Sequence, residues 1–225
     1  MAPARRRLVE LNHVIEAGMV TYKGVPGPVI CDFLAREASL GLYEGDTTFQ
    51  IGRIDMVANT GTYLDTPFHR WADGADLCGV ALEQVTDLPG LVVRHAGPAI
   101  GVEAFAGLDV AGKAVLVHTG WDRHWRTQAY LVGHPFLTAE AAEHLRDAGA
   151  ALVGIDSHNI DDTAGTARPV HTILLRAGIP IVEHLTGLDA LPAEGFVFNA
   201  PPPRVKGMGT FPVRAHAILG AIIGG

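Results

Sequence analysis

Apolar and polar positions change rhythm along the chain. From residue 91 onward, short β-branched runs alternate with stretches of helical spacing. LVVRHA (91–96) and KAVLVHTG (113–120) end at glycines and read as strands. Thr138 caps TAEAAEHLRDAG, with Glu140 in the first turn, Leu145 on the apolar face and Gly149 at the stop, which predicts a helix. ALVGID (151–156) predicts a buried strand. Pro169 opens a second helix, PVHTILLRAG, stopped by Gly178, and IPIVEHL (179–185) returns to strand. Strand, helix, strand, helix, strand at these lengths predicts parallel pairing with right-handed crossovers.

The first half and the C-terminus follow another pattern. GPVICDFL, TTFQIGRIDMVA, GFVFNA and FPVRAHAIL alternate like strands, with Pro and Gly between them, and predict antiparallel pieces. The class is therefore α/β, with a parallel sheet, a smaller antiparallel sheet and flanking helices. No internal repeat or low-complexity linker is visible, so residues 1–225 read as one domain. Arg5, Arg6 and Arg7 make residues 1–7 a flexible basic tail.

Composition narrows the function classes. Apolar residues make up 48% and charged residues 18%, as in globular proteins. A formal charge of −7 argues against a nucleic-acid surface, which needs clustered Lys and Arg. No run reaches the roughly 20 apolar residues that span a bilayer, and the tail AILGAIIGG reads as a last buried strand. Cys31 and Cys78 have neither metal-type spacing nor the number for a disulfide framework, which points to a reducing cytoplasm.

Loops at the carboxyl ends of parallel strands are where α/β folds gather reactive groups. Asp156, Ser157, His158, Asp161 and Asp162 follow the strand ALVGID. His171 begins the next helix, and Glu183 ends the strand after it, followed by His184. A further polar cluster lies in NTGTYLDTPFH (59–69), which supplies Asp65 and His69. Two imidazoles and two carboxylates can hold a divalent ion or act as general acid and base without one. Each has a plain structural alternative: a turn at Asp65, a loop histidine at His69, a helix-start hydrogen bond at His171, an exposed edge for Glu183. The stretch HTGWDRHWRTQAYLVGHP (118–135) reads as a substrate-facing loop, or as a loop folded on a partner subunit. Trp71, Trp121 and Trp125 are candidate walls for an aromatic or planar ligand.

NTGTYLDTPFH resembles the signature H-x-G-T-H-x-D-x-P-x-H of the cyclase family of bacterial kynurenine formamidases, isatin hydrolases and related amide, lactam and lactone hydrolases. LVELNHVIEAGMVTYKG resembles the family's opening strand, AVLVHTGW its TGW element, GIDSHNID its next strand and loop, and PVHTILLRAGIPIVEHLTGLDALP its His–helix–Glu segment. The resemblance covers nearly the whole chain. It implies a swivelling β/β/α fold, assembly as a homodimer or homotetramer with sites near the interface, a small-molecule substrate and bound Zn²⁺ or Mn²⁺. It implies Asp65, His171 and Glu183 as metal ligands and His69 as the acid/base group. The departures are Asn59 and Tyr63, which stand where the family has histidines. Asparagine is a weak neutral ligand, and tyrosine coordinates well only as phenolate. Asn59 therefore belongs either to a thinned metal site or to substrate, and Tyr63 is placed with the catalytic groups.

Three activities follow. With a metal, the ion activates water, and His69 moves a proton to the leaving nitrogen or oxygen of an amide, cyclic imide, lactam or lactone. Without one, Tyr63 donates to a developing oxyanion and His69 or His171 acts as base, which suits a lyase, isomerase or cyclase. The third is a non-catalytic relative that binds a small molecule.

Overall fold

The computed structural model describes residues 6–220. In chain order its strands and helices are β1 (Arg7–Glu10), β2 (Val29–Leu34), β3 (Ile51–Asp55), β4 (Tyr63–Asp65), β5 (Leu88–Arg94), β6 (Ala99–Ile100), β7 (Ala114–His118), β8 (Phe136–Leu137), α1 (Ala139–Asp147), β9 (Leu152–Ile155), α2 (Pro169–Arg176), β10 (Ile181–Glu183), β11 (Phe196–Asn199), β12 (Thr210–Pro212) and β13 (His216–Leu219).

Among the described residues, nine strands form one sheet in the order β1-β13-β11-β5-β7-β9-β10-β4-β12. The β-branched runs form its centre: β5, β7, β9 and β10 are parallel, as their spacing predicts. GFVFNA and FPVRAHAIL are antiparallel, but they extend this sheet at its two edges. β11 joins β5 and β13, while β12 joins β4 beyond β10. The smaller antiparallel sheet is β2 with β3, and β6 with β8 adds a short parallel pair.

Continuously apolar strands need cover on both faces. On one face, Val93, Val115, Val117, Val153 and Ile155 pack with Ala142 and Leu145 of α1 and Val170 and Leu174 of α2. On the other, Val92, Leu116 and Val182 pack with Leu11, Leu64, Leu185, Phe196 and Phe198. Thr138 caps α1 by accepting from Ala141 N, and Pro169 stands at the start of α2, both as the sequence predicts.

Of the basic tail expected over 1–7, Arg7 is in a strand. Arg7 already opens β1, opposite Leu219, because burying Val9 and Leu11 draws this segment onto the sheet. Residues 1–5, with Arg5, lie outside the described residues. So do residues 221–225 of the apolar C-terminal run, of which Ala217 in β13 is buried. No helix among the described residues is long and apolar enough to cross a membrane.

Candidate active site

Period-two alternation along β4 turns Leu64 into the core and puts Tyr63 and Asp65 together on the opposite face. Pairing does the rest. Across the ladder, Tyr63 lies opposite Glu183 of β10, and Asp65 lies opposite Thr210 of β12. The chain then turns through Thr66 into a 3-10 turn, Pro67–His69, which brings His69 back beside Asp65. α2 starts at the same end of the sheet and delivers His171 from its first turn.

These placements bring four of the expected residues together. His171 Nε2 lies 3.6 Å from Asp65 Oδ2 and 3.7 Å from Glu183 Oε1. His69 Nδ1 lies 3.5 Å from Asp65 Oδ1, and the two imidazoles are 5.9 Å apart. Asp65 and Glu183 are buried, which removes the turn and exposed-edge alternatives for them. Tyr63 is also buried, and its hydroxyl donates to Glu183 Oε2. Burial first, and the neighbouring Glu183 carboxylate second, push the Tyr63 hydroxyl well above its usual range. Tyr63 is thus a phenol that donates to a carboxylate.

Thr210 links Asp65 to His69. Its hydroxyl donates to Asp65 Oδ1, so it accepts from His69 Nδ1 at 2.9 Å. That hydrogen-bond pattern assigns the proton to Nδ1 of His69 and leaves its Nε2 lone pair open.

Tyr63, His69, His171 and Glu183, with Tyr22, Val57 and Asn59, line a cavity of ≈ 510 Å³. His69 is about one-third exposed there, whereas His171 is buried. A smaller cleft of ≈ 310 Å³ between Leu77, Val85 and Pro201 contains none of these groups.

The donor set fits a cation. Asp65 Oδ2 is buried and accepts no hydrogen bond, a costly state for a carboxylate oxygen with no positive charge beside it. Burial alone disfavours a charged His171, but Glu183, the bond to Asp161 and Asp65 outweigh it and push its pKa up to about 10. The pocket thus calls for positive charge next to His171 Nε2, whether a proton or a divalent ion. Ligand atoms of Asp65, His69 and His171 lie within 4.8 Å of one another, a spacing that suits one ion. Glu183 is nearby but already engaged: Oε1 accepts from Ile160 N at 2.7 Å, and Oε2 accepts from Tyr63 and, at 3.1 Å, from Tyr22.

The tryptophans sit elsewhere. Trp71 packs against the helix-side core under the Arg176 guanidinium, 4.8 Å from its ring. Trp121 donates from Nε1 to the Tyr130 carbonyl at 3.0 Å. Trp125 stacks on His13 with ring centroids 3.9 Å apart. None of the three is among the residues that line the cavity. The stretch 118–135 is folded into two 3-10 turns around the buried Tyr130.

Sequence reasoning passed over Tyr22 and Thr210 and gave Asp161 no role. Tyr22, in an irregular loop, places its hydroxyl 2.7 Å from that of Tyr63 and accepts from Asn159 Nδ2 at 3.0 Å. Nothing periodic marks it. Thr210 becomes visible only through the pairing of β12 with β4. Asp161 stood in a polar run whose members look alike in sequence.

Residues 9–162 match the model of the Cyclase family, described as "Putative cyclase". A kynurenine formamidase from Geobacillus thermodenitrificans is 30% identical over 167 residues, 73% of this chain and 78% of that protein. A solved structure from Bacillus stearothermophilus, described as a predicted metal-dependent hydrolase, matches with a TM-score of 0.76 and 26% identity, over 96% of this chain and 99% of that one. Isatin hydrolase A from Labrenzia aggregata matches in fold, with a TM-score of 0.81 at 22% identity over 96% and 94% of the two chains.

Proposed function

The chain belongs to the Cyclase family, and on that premise we propose that it hydrolyses a small amide, cyclic imide, lactam or lactone, with His69 as acid/base group and Zn²⁺ or Mn²⁺ as cofactor. One observation carries the reading: the buried, unpartnered Oδ2 of Asp65 faces His171 Nε2 at 3.6 Å, with His69 alongside at the cavity wall. Asp65 and His171 would hold the ion, with His69 and Glu183 adjacent. A divalent ion bound there supplies Lewis acidity that polarises a carbonyl and makes water more acidic.

The chain's own groups do the remaining work. The cavity admits a small substrate past Val25 and Val57. His69 Nε2, left open by the Nδ1–Thr210 bond, accepts a proton as water oxygen bonds to the carbonyl carbon, and returns it to the nitrogen or oxygen that leaves as the C–N or C–O bond breaks. Tyr63, committed to Glu183, positions that carboxylate and is not free to coordinate as phenolate. Relatives named as a kynurenine formamidase and an isatin hydrolase make aryl formamides and cyclic aryl amides the first substrates to assay. Turnover of either, lost on chelation and restored by Zn²⁺ or Mn²⁺, is the expected result. No turnover of any formamide, imide, lactam or lactone by the metal-loaded protein would overturn the reading.

A metal-independent lyase, isomerase or cyclase reading has one observation in its favour: both oxygens of Glu183 already accept hydrogen bonds from protein donors. Full activity after chelation would select it.

The proposal extends to assembly. Among the described residues β2 and β3 pair only with each other, and this arm leaves Val29, Ile30, Phe33, Ile51 and Ile54 exposed. Bare apolar surface of that extent on a two-stranded ribbon favours cover by a second copy. The arm grows out between Val25 and Val57, two residues of the cavity wall. Sedimentation should give a dimer or tetramer, and Phe33→Asp with Ile54→Asp should shift it towards monomer. A monomeric wild-type chain at micromolar concentration contradicts this assembly.

A further inference from the structure

Asp161 is fully buried, and each of its oxygens is directed at α2. Oδ1 accepts from Val170 N at 2.7 Å. Oδ2 accepts from His171 N at 3.1 Å and from His171 Nδ1 at 2.6 Å. The residue at the helix entry, Arg168, supplies no side-chain cap, so a carboxylate from the loop after β9 takes that place. The residue before it, Ile160, donates its backbone N–H to Glu183 Oε1 at 2.7 Å. Two consecutive loop residues therefore grip the two side chains that flank the cation position, one on α2 and one on β10.

We propose that Asp161 is a positioning residue: by accepting Nδ1–H of His171 it fixes that ring so that Nε2 is always the nitrogen presented to Asp65 and Glu183. This rests on the reading of His171 as a site residue. Without the carboxylate, Nδ1–H is left buried with no acceptor, and a half-turn of the ring about Cβ–Cγ puts carbon where each nitrogen stood, Cε1 in place of Nε2. The anionic acceptor also makes Nε2 a stronger donor of its lone pair to a cation. Neutral Asn at 161 keeps the shape of the site and an oxygen for the helix N–H groups, but offers no charge to the ring. It separates the orienting role from the capping role.

The experiment compares wild type with Asp161→Asn by proton–nitrogen NMR of the histidine rings, with His171 assigned from His171→Gln, and by calorimetric titration with Mn²⁺. Wild type should show a low-field Nδ1–H resonance from His171. Asp161→Asn should keep its circular dichroism, lose that resonance, and bind Mn²⁺ about 10–100-fold more weakly, the range usual for removing such a partner. Its kcat should fall with little change in KM, because Asp161 itself is not among the residues that line the cavity. Persistence of the resonance in Asp161→Asn overturns the proposal, and so does unchanged Mn²⁺ affinity. Should the variant fail to fold, wild type alone still decides: no low-field Nδ1–H from His171 overturns the proposal. A wild-type protein that shows the resonance and binds Mn²⁺ but hydrolyses nothing would refute the hydrolase reading and leave the role of Asp161 standing.

Discussion

At Thr210 a single hydroxyl stands between the proposed ion ligand and the proposed acid/base group, donating to Asp65 Oδ1 and accepting from His69 Nδ1. Thr210→Val preserves shape and leaves both partners without it, one buried and one in the cavity wall. The expected cost is about 1–3 kcal/mol, read as a roughly tenfold or larger fall in kcat/KM, with Thr210→Ser close to wild type. Equal activity of the Val variant would show that Thr210 does not position His69. Residues differ in how visible they are before folding. Asp65 and His69 are legible from the signature in 59–69, and His171 and Glu183 from the separate His–helix–Glu segment. Thr210 is not, because its role comes from a cross-strand register between residues far apart in sequence. Tyr63 was legible as a departure, but its partner Glu183 became known only when β4 was seen to pair with β10. The tryptophans, expected as walls, are not among the residues that line the cavity; they pack against Arg176, His13 and the Tyr130 segment.

Elements carry the site by close approach as well as by register. A Cβ at Gly209 would lie 2.3 Å from His69 N and 2.6 Å from its Cα, so the chain entering β12 passes the 3-10 turn with no room for a side chain. Gly209→Ala must push backbone apart just where His69 is held. Overpacking of this kind costs about 1–3 kcal/mol, and here activity should fall together with the thermal midpoint. Thr138→Ala, which removes only the α1 cap, should cost about 1 kcal/mol of stability and leave turnover unchanged. An inactive Thr138→Ala or an unaffected Gly209→Ala would contradict this division. The parallel core and both helices are legible because β-branched runs, caps and stops are local signals. That the antiparallel runs join the same sheet is not, since edge pairing depends on which strand is left uncovered once the core has formed.

For the molecule as a whole, burial of neutral histidines sets a lower pH limit on stability. Desolvation holds His158 at a pKa of about 4, against an ordinary value of 6.5, and His13 is lowered to about 4 by the same cause. The unfolded chain binds these protons first, so the contribution is complete above pH 6.5 and is lost as pH falls from 6.5 towards 4. For a buried group such as His158 the loss is on the order of 3 kcal/mol. Denaturant unfolding at pH 7 and pH 4.5 should show it, and His158→Gln should narrow the difference. The same pH dependence in the variant as in wild type would contradict the assignment. In the proposed function His69, in the wall of the cavity, is the group that moves the proton. The most direct measurement is hydrolysis of an N-formyl aryl amide by the metal-loaded wild type and by His69→Ala, at matched metal content. The account predicts turnover by wild type and a fall of about 10²–10⁴-fold in the variant. Unchanged turnover in His69→Ala would contradict it.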